Sequence, residues 1–351
     1  MAAVAVALAA TGCIRDVGPP PGFDASRGEA VNSRGEAIVT GYVRGGVWET
    51  FVLTAAGEWT QPGTDAPGLD VTRMLYAAIN DSGAVVGDLH LSHDNPTNPE
   101  RGNDMQFVWD PERGLREVGL NGGNRVNPAD IADDGSIAAW GLIGTAFSSR
   151  SRGYLIDGDT LARRELAPLS LFGGSRANAV NSRGEVVGTS DGRYVVWGPP
   201  FYWPIALTPL TANDQTSVFS ADINDRGEIV AHVLPSAVIG EPIADQVHGI
   251  YWDAQRVATR MPAGFLPEAI GDDGTVVGAI WQLPDVGGQP VSAPRAATWV
   301  PGDAEAAPLA ADGSRPTSVA TGIAGEHIVG WHAPAGAPPN TDQATAVRWS
   351  R

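Results

Sequence analysis

A phrase of about a dozen residues recurs seven times along this chain, roughly every 40 to 50 residues. In its fullest form the phrase reads Ala-x-Ile-Asn-Asp/Ser-x-Gly-x-Val-Val-Gly. Its copies begin at Val31, Ile79, Ile131, Val180, Ile223, Ile270 and Thr321. A self-similar period of this length indicates a repeat architecture, because one such unit cannot bury its apolar face alone and packs against its neighbours. The period therefore constrains the fold more than any single motif does.

Each repeat contains four short segments with strand character. In the second repeat, residues 77–80 and 84–87 are β-rich runs joined by Asp81-Ser82-Gly83, in which the glycine supplies the positive φ of a hairpin turn. Residues 106–109 and 115–119 are the third and fourth runs. The third run usually ends in tryptophan, at Trp109, Trp197, Trp252, Trp299 and Trp349. The pattern predicts an antiparallel meander of four strands, A to D, and the repeated tryptophans predict packing between repeats.

The two ends of the chain predict how the repeats are arranged. The last repeat stops at Trp349-Ser350-Arg351 without a fourth strand, whereas residues 14–18 match residues 115–119 in character. We therefore expect residues 14–18 to pair with residues 346–350 and to close a ring. This predicts an all-β fold, a seven-bladed β-propeller of four-stranded antiparallel blades. A solenoid is the alternative, but it would leave open sheet edges at both ends.

The repeats fill nearly the whole chain, so we expect a single propeller domain at residues 13–351 after a signal-like segment at residues 1–12. The predicted blades span about 29–76, 77–128, 129–178, 179–220, 221–267, 268–318, and 319–351 together with 14–18. In the third and seventh copies Ala132 and Gly322 stand in place of the asparagine, so the blade boundaries are less regular there.

Composition and charge exclude several classes of protein. The 44 glycines and 27 prolines suit many short strands joined by tight turns. With 40 acidic against 23 basic residues the net charge is -17, which repels phosphate backbones, and we therefore expect no nucleic-acid partner. The sequence contains no run of 18 apolar residues, so it predicts no membrane-spanning helix. We expect a monomer without a cofactor.

The only cysteine follows an apolar N-terminal segment. Residues 1–10 are almost wholly apolar and lead through Thr11 and Gly12 to Cys13, after which the chain becomes polar. This arrangement resembles a bacterial lipoprotein signal, which implies lipidation of Cys13 and a membrane anchor, although no basic residue follows Met1. An apolar tail with an incidental thiol is the alternative. One cysteine permits no disulfide within the chain.

Residues of about 28 to 351 resemble the HAF-type extracellular repeat family, whose units carry the same Ile-Asn-x-x-Gly-x-Val-Val-Gly phrase followed by an aromatic-x-Trp. The resemblance implies an exported, propeller-like protein at the cell surface. It contributes no catalytic residues.

Loop length predicts where a ligand binds. The connections between strands B and C are long at about 88–105, 141–152, 233–247, 282–295 and 332–345. In a meander these loops share one face of the disc, and the short A–B turns lie on the other face together with Cys13. The candidate binding residues near the loop roots are Trp140, Trp281, Trp331, His232 and Asp88. Burial between blades is the alternative role for the aromatic residues.

Other motifs are weaker. His90, His93 and Asp94 share one loop, where they form either a divalent metal site or a solvated polar surface. Ser190 lies in a Gly-x-Ser-x-Gly sequence, but a nucleophile elbow requires a strand-to-helix turn, and here the sequence joins two antiparallel strands. The recurrent asparagines are expected to organise turns. These are Asn32, Asn80, Asn181 and Asn224.

The sequence therefore predicts an exported, lipid-anchored, non-enzymatic module that binds extracellular carbohydrate or protein through its long B–C loops. The alternative function is that of a propeller-type lyase or hydrolase acting on extracellular polysaccharide, since a fold alone does not decide function. A purely structural surface component is a third interpretation. An enzyme should show convergent carboxylates or histidines with shifted pKa values, whereas a binder should show an aromatic groove.

Overall fold

The computed structural model describes residues 13–43, 46, 48–93, 103–119, 125–144, 150–210, 218–233, 247–281, 293–335 and 343–351. Within these ranges the chain forms 28 β-strands in seven four-stranded antiparallel sheets, and it contains no helix. The predicted seven-bladed β-propeller is confirmed. The described residues contain no helix, and therefore none that is long and apolar enough to cross a membrane.

The strands follow one another from the inner to the outer edge of each blade. Blade 1 consists of β2 (Ala25–Val31), β3 (Ala37–Tyr42), β4 (Trp48–Leu53) and β5 (Trp59–Thr60). Blade 2 consists of β6 (Val71–Ile79), β7 (Val85–Leu91), β8 (Asp104–Asp110) and β9 (Gly114–Glu117). Blade 3 consists of β10 (Val126–Ile131), β11 (Ser136–Ile143), β12 (Arg150–Asp157) and β13 (Arg163–Leu166). Blade 4 consists of β14 (Ser175–Val180), β15 (Val186–Ser190), β16 (Arg193–Trp197) and β17 (Ile205–Ala206).

The remaining three blades repeat the same order. Blade 5 consists of β18 (Val218–Ile223), β19 (Ile229–Val233), β20 (His248–Trp252) and β21 (Ala258–Arg260). Blade 6 consists of β22 (Phe265–Ile270), β23 (Val276–Ile280), β24 (Arg295–Trp299) and β25 (Ala307–Pro308). Blade 7 consists of β26 (Thr317–Ala324), β27 (His327–Ala333), β28 (Thr345–Ser350) and the N-terminal strand β1 (Ile14–Asp16).

The ring closes as the sequence predicts. Strand β1 pairs antiparallel with β28, with Ile14 opposite Trp349 and Asp16 opposite Val347. The amide of Val17 extends the pairing by donating to the carbonyl of Ala346 at 2.8 Å. Joining the first and last strands in one sheet removes the open edges that a linear array would expose.

Every inner strand is irregular where the repeat phrase begins. In blade 6 the register shifts between Pro267 and Ala269, which brings the carbonyl of Leu266 against Gly278 on the next strand. A Cβ at Gly278 would lie 2.0 Å from that carbonyl oxygen. The corresponding glycines of three other blades, Gly87, Gly188 and Gly330, meet a carbonyl in the same way. The β-bulge therefore explains why the phrase ends in glycine.

The bulges also shift the boundaries that the repeat phrase predicts. Strand β6 begins at Val71, before the predicted blade start at residue 77, because the part of each inner strand that precedes the bulge does not follow the phrase. In blade 7, Thr321 is the bulged residue and Ala324 pairs with His327. Ala324, rather than Gly322 as the sequence predicts, thus takes the place of the asparagine, and the turn that follows is shorter.

The tryptophans at the ends of the third strands pack in the core as predicted. Trp197, Trp252 and Trp349 are almost completely buried. Each indole N–H donates to a backbone carbonyl in the link that precedes the inner strand of its own blade. The acceptors are Ala167, Thr208 and Ala310, respectively. A buried indole needs such a partner, and these bonds fix the position of the ring.

Candidate functional site

The seven inner strands surround a central channel, and a cavity of about 350 Å³ lies at its short-turn end. Equivalent residues of all seven blades line this cavity, from the bulge of each inner strand to the turn that follows. Eight carboxylates belong to it: Glu29, Asp81, Asp130, Asp133, Asp222, Asp225, Glu268 and Asp272. No basic side chain is among its lining residues in the described part of the chain.

Six of these carboxylates link neighbouring blades. Asp222, for example, accepts hydrogen bonds from its own neighbour Ile223 N and from Ile270 N in blade 6, both at 2.8 Å. Asp130 joins blades 3 and 4 in the same way through Ile131 N and Val180 N. Burial raises the pKa of Asp130 to about 6 and that of Asp222 to about 7, while the backbone donors act in the opposite direction.

The four turn aspartates accept one backbone N–H each from the preceding blade. The donors are Ser33 for Asp81, Asp81 for Asp133, Ser182 for Asp225 and Asp225 for Asp272. The asparagines beside them act in parallel, since Asn224 Nδ2 donates to Gly271 O at 3.0 Å and its Oδ1 accepts from Glu228 N. The aspartates at the channel mouth thus have a structural role, because they form hydrogen bonds between blades. The predicted structural role of the asparagines is confirmed.

The two remaining channel carboxylates, Glu29 and Glu268, form no hydrogen bond to a neighbouring blade within the described part of the chain. Glu29 accepts a hydrogen bond from Thr40 Oγ1 at 2.9 Å, and burial raises its pKa with a contribution from the negative charge of Glu268. Burial raises the pKa of Glu268 to about 7, and Arg27 opposes this shift. Glu268 is enclosed by the channel wall, yet its side chain still contacts channel solvent, which screens its charge.

Arg27 lies between these glutamates and the loop face. Its guanidinium stacks on the ring of Trp331 from blade 7, 4.5 Å from the ring centroid. Its positive charge acts on Glu29, Glu268 and Tyr42. Among the described residues no carboxylate lies within ion-pair distance of Arg27, and its buried Nε has no hydrogen-bond partner. A fixed cationic donor therefore remains partly unused.

A second cavity, of about 440 Å³, opens beside Arg27 between blades 1 and 2. We call it the blade 1–2 pocket, and it is lined by Arg27, Glu29, Thr40, Tyr42, Trp48, Thr50, Tyr76 and Ala77. Tyr42 and Trp48 face each other across the two strands that flank the B–C connection of blade 1, so the pocket opens on the long-loop face. Trp48 is 46% exposed, whereas Tyr76 is buried in the pocket wall.

The lining of the blade 1–2 pocket combines two kinds of surface. Trp48 and Tyr42 supply aromatic surface at the entrance, and Arg27, Glu29 and Thr40 supply donors and acceptors at the floor. A concave site with aromatic walls and a few placed polar groups is typical of small-ligand sites. Its volume falls in the range of such pockets.

Four of the five predicted binding residues occupy one equivalent position in strand B, directly after the last residue of the repeat phrase. Trp140 and Trp331 each carry an arginine of the next blade, with Arg176 4.0 Å from the ring centroid of Trp140. His232 Nδ1 lies 3.2 Å from Pro267 O, and burial lowers its pKa. Asp88 accepts from Gln106 and Arg125. Trp281, the fifth predicted residue, packs partly buried against the cluster that contains Trp331.

These residues are thus brought to the contacts between blades rather than to one shared surface, and their role in ligand binding stays a prediction. Only Trp331 belongs to the site around Arg27. The central parts of all five long B–C loops lie outside the described residues. Cys13, which is exposed, lies at the short-turn end of blade 7, where its carbonyl faces Ser350 N. Its lipidation stays a prediction.

The predicted metal ligands are not assembled within the described residues. His90 is held between Asp104 and Arg73, and burial is the largest cause that lowers its pKa. His93 is exposed, and Asp94 lies outside the described residues. No group of three potential ligands converges in the described ranges, so the site stays a prediction.

Ser190 has a structural role. Its hydroxyl donates to Gly174 O at 2.9 Å and accepts from Leu169 N at 2.8 Å, which ties the link before blade 4 to strand β15. The serine lies in an antiparallel hairpin, as the sequence predicts.

The residues that sequence reasoning missed are Arg27, Glu29, Tyr42, Trp48 and Glu268. One signal could have found two of them. Glu29 and Glu268 occupy the bulged position of the repeat phrase, where other copies carry alanine, asparagine or threonine. A charged residue at an otherwise small or neutral repeated position marks a departure that the fold does not require.

No protein-family model matches this chain, and no curated protein matches it. Solved structures share its fold at low sequence identity. An oligogalacturonate lyase from Vibrio parahaemolyticus aligns with a TM-score of 0.57 and 8% identity over 97% of both chains. The β-propeller domain of the Trilobed protease from Pyrococcus furiosus aligns at 0.53 and 11% identity, over 93% of this chain and 95% of that one. These likenesses show the propeller fold alone.

Proposed function

We propose that this chain is a non-enzymatic binding module that holds a saccharide in the blade 1–2 pocket. The observation that carries the proposal is the half-exposed Trp48 at the entrance of a pocket whose floor is formed by Arg27 and Glu29. The apolar segment before Cys13 and the resemblance to HAF-type extracellular repeats support export. Because Cys13 lies on the short-turn side, a lipid attached there would leave the long-loop face turned away from the membrane.

A saccharide fits this chemistry better than an apolar ligand does. A sugar ring has an apolar C–H face, which can stack on the exposed indole of Trp48, and hydroxyl groups that both donate and accept. Glu29 accepts, Arg27 donates and Thr40 does both, so the floor offers partners for several hydroxyls. An apolar ligand would leave these polar groups unpaired, at a cost in affinity.

A second candidate function is that of a lyase or hydrolase acting on extracellular polysaccharide. The observation that favours it is the pair of carboxylates with raised pKa values, Glu29 in the lining of the pocket and Glu268 in the lining of the channel. A carboxyl group that titrates near neutral pH can act as a general acid or base. Among the proteins with this fold is an oligogalacturonate lyase, although the likeness is confined to the fold.

The test is a glycan array screen of the purified protein, followed by titration of the best ligand against two tryptophan variants. Trp48→Ala should weaken binding by about tenfold or more, because the stacking surface is lost. Trp203→Ala removes a more accessible tryptophan, 70% exposed on blade 4, and should leave the affinity unchanged. Equal effects of the two substitutions, or an array without any bound glycan, would contradict the proposal.

The same ligand distinguishes the two functions. Prolonged incubation with wild-type protein should leave its chain length unchanged if the chain is a binder. Cleavage that is lost in Glu268→Gln would establish the enzyme instead.

A further inference from the structure

We infer that the blade 1–2 pocket takes an acidic saccharide, and that Arg27 binds the carboxylate of a uronic acid residue. This inference rests on the proposed function, since it names the class of sugar that the same pocket holds. It concerns the arginine at the pocket floor, which has no ion-pair partner among the described residues.

Arg27 is held in place without being neutralised by contact. The ring of Trp331 lies under its guanidinium, and the residue sits opposite Thr40 in the pairing of β2 with β3. The hydroxyl of Tyr42 is hydrogen-bonded to Arg27, and two glutamates lie close enough for its charge to act on their pKa values. Arg27 nevertheless lines the pocket without an ion-pair partner among the described residues, so a carboxylate on the ligand would supply the missing counter-charge.

The arginine also favours one shape of acceptor. Its planar fork of N–H groups matches a carboxylate through two parallel hydrogen bonds, which a single sugar hydroxyl cannot form. The carboxylate of Glu29 is already engaged by Thr40, and in the described structure it does not reach ion-pair distance from Arg27. Because Trp48 stands at the entrance, a ligand that fills both places carries a ring and a carboxylate, as a uronic acid does.

The neighbouring charges predict how binding depends on pH. Burial is the largest cause of the raised pKa of both glutamates, and the charge of Arg27 opposes it in each. The hydrogen bond from Thr40 also lowers the pKa of Glu29, whereas the charge of Glu268 raises it. Tyr42 also lies within reach of the charges of Glu29 and Arg27. An anion that enters beside ionised glutamates is repelled, whereas protonation of Glu268 removes one negative charge. The affinity for a uronate should therefore rise as the pH falls from about 8 to about 6, with uptake of a proton.

The test uses isothermal titration calorimetry of the full chain with matched oligosaccharide pairs: galacturonate and galactose dimers, and glucuronate and glucose dimers. At pH 6 a uronate dimer should bind about tenfold or more tightly than its neutral partner. Arg27→Gln should remove this preference, because the uronate loses its charged partner whereas the neutral dimer loses at most one hydrogen bond. Arg176→Gln is the matched control, because Arg176 stacks on Trp140 at the equivalent position of blade 4 but lines no such pocket.

The outcomes separate the two proposals. If neutral and acidic dimers bind equally, or if Arg27→Gln leaves the preference intact, the assignment of Arg27 is overturned while saccharide binding stands. Binding of a sulfated galactose in preference to galacturonate would also overturn it. If no saccharide of any charge binds, the proposed function fails as well. Glu268→Gln should flatten the pH dependence of uronate affinity, and an unchanged pH profile would contradict the role of the glutamate.

Discussion

The two ends of the central channel are built from the same seven repeats, but they use their side chains differently. At the short-turn end, the repeated asparagines and aspartates bond the backbone of an adjacent blade in nearly the same geometry each time. Towards the long-loop end, the equivalent position in strand B changes from blade to blade. Its occupants are Thr40, Asp88, Trp140, Thr189, His232, Ala279 and Trp331. The residues that recur in the blades thus stabilise the fold, whereas the position that varies from blade to blade is free to differ in function.

Arg27 and Arg176 show the same contrast within one pair of equivalent residues. Both lie on an inner strand and stack on a tryptophan of the preceding blade. Arg176, however, is exposed, whereas Arg27 has a buried Nε and lies beside two glutamates at a pocket. The cation–π contact belongs to the architecture, and only the pocket and the glutamates around Arg27 create a candidate site.

The largest expected effect follows from the glycine that ends the repeat phrase. Gly278→Ala would place a methyl group 2.0 Å from the carbonyl oxygen of Leu266, so the bulge of β22 must shift. We expect a loss of about 2–4 kcal/mol in the free energy of unfolding, measured by chemical denaturation. Gly313→Ala is the control, since Gly313 has open space around it and should change stability by less than about 0.5 kcal/mol. A tolerated Gly278→Ala would break the link between the phrase and the bulge.

A smaller effect is expected at the short-turn end. Asn224→Ala removes the hydrogen bond to Gly271 O and leaves the amide of Glu228 without its side-chain acceptor. The loss should be about 2 kcal/mol, because the asparagine is buried and joins blades 5 and 6. Gln255→Ala, at an exposed turn, should be neutral in the same denaturation experiment. A neutral Asn224→Ala would mean that packing alone holds these blades together.

Much of the fold could be predicted because the same sequence phrase occurs seven times. One weak signal, such as an Ile-Asn followed by Val-Val-Gly, means little alone, but its period predicts the blades and the unpaired ends predict closure between Ile14 and Trp349. The bulges could not be predicted in this way, because the residues before the phrase vary. For this reason Val71 begins β6 earlier than the repeat suggests, and Ala324 replaces Gly322 at the turn of blade 7.

The candidate site could not be predicted, for a related physical reason. Trp140, Trp331 and His232 look like binding residues in sequence because aromatic and imidazole groups serve ligands and blade contacts equally well. The structure shows what each of them touches. The pocket itself depends on Arg27 and Trp48, which lie on different strands and meet only after folding. The B–C connection of their blade, between Tyr42 and Trp48, is also not one of the long ones, so loop length directs attention elsewhere.

The smallest expected effect is a pH dependence of the free energy of unfolding, caused by an aspartate that bonds two blades. Burial raises the pKa of Asp222 from 3.8 to about 7, so the folded chain holds this proton more tightly than the unfolded chain does. The ionised form therefore costs stability, and the free energy of unfolding should fall as the pH rises from about 4 through about 7. Because the carboxylate also lines the solvent-accessible channel, we expect a change on the order of 1 kcal/mol rather than the full linkage value.

Asp222→Asn tests this assignment. The amide keeps one oxygen acceptor but turns its N–H groups towards a backbone donor, at either Ile223 or Ile270, so the variant should be less stable than the wild type at pH 5. Since the amide does not titrate, the difference should narrow by pH 8 in denaturation curves recorded at both values. Asp303→Asn, at an exposed turn, provides the control. A constant difference across this range would show that Asp222 does not change its protonation state between pH 5 and pH 8, and would contradict the raised pKa.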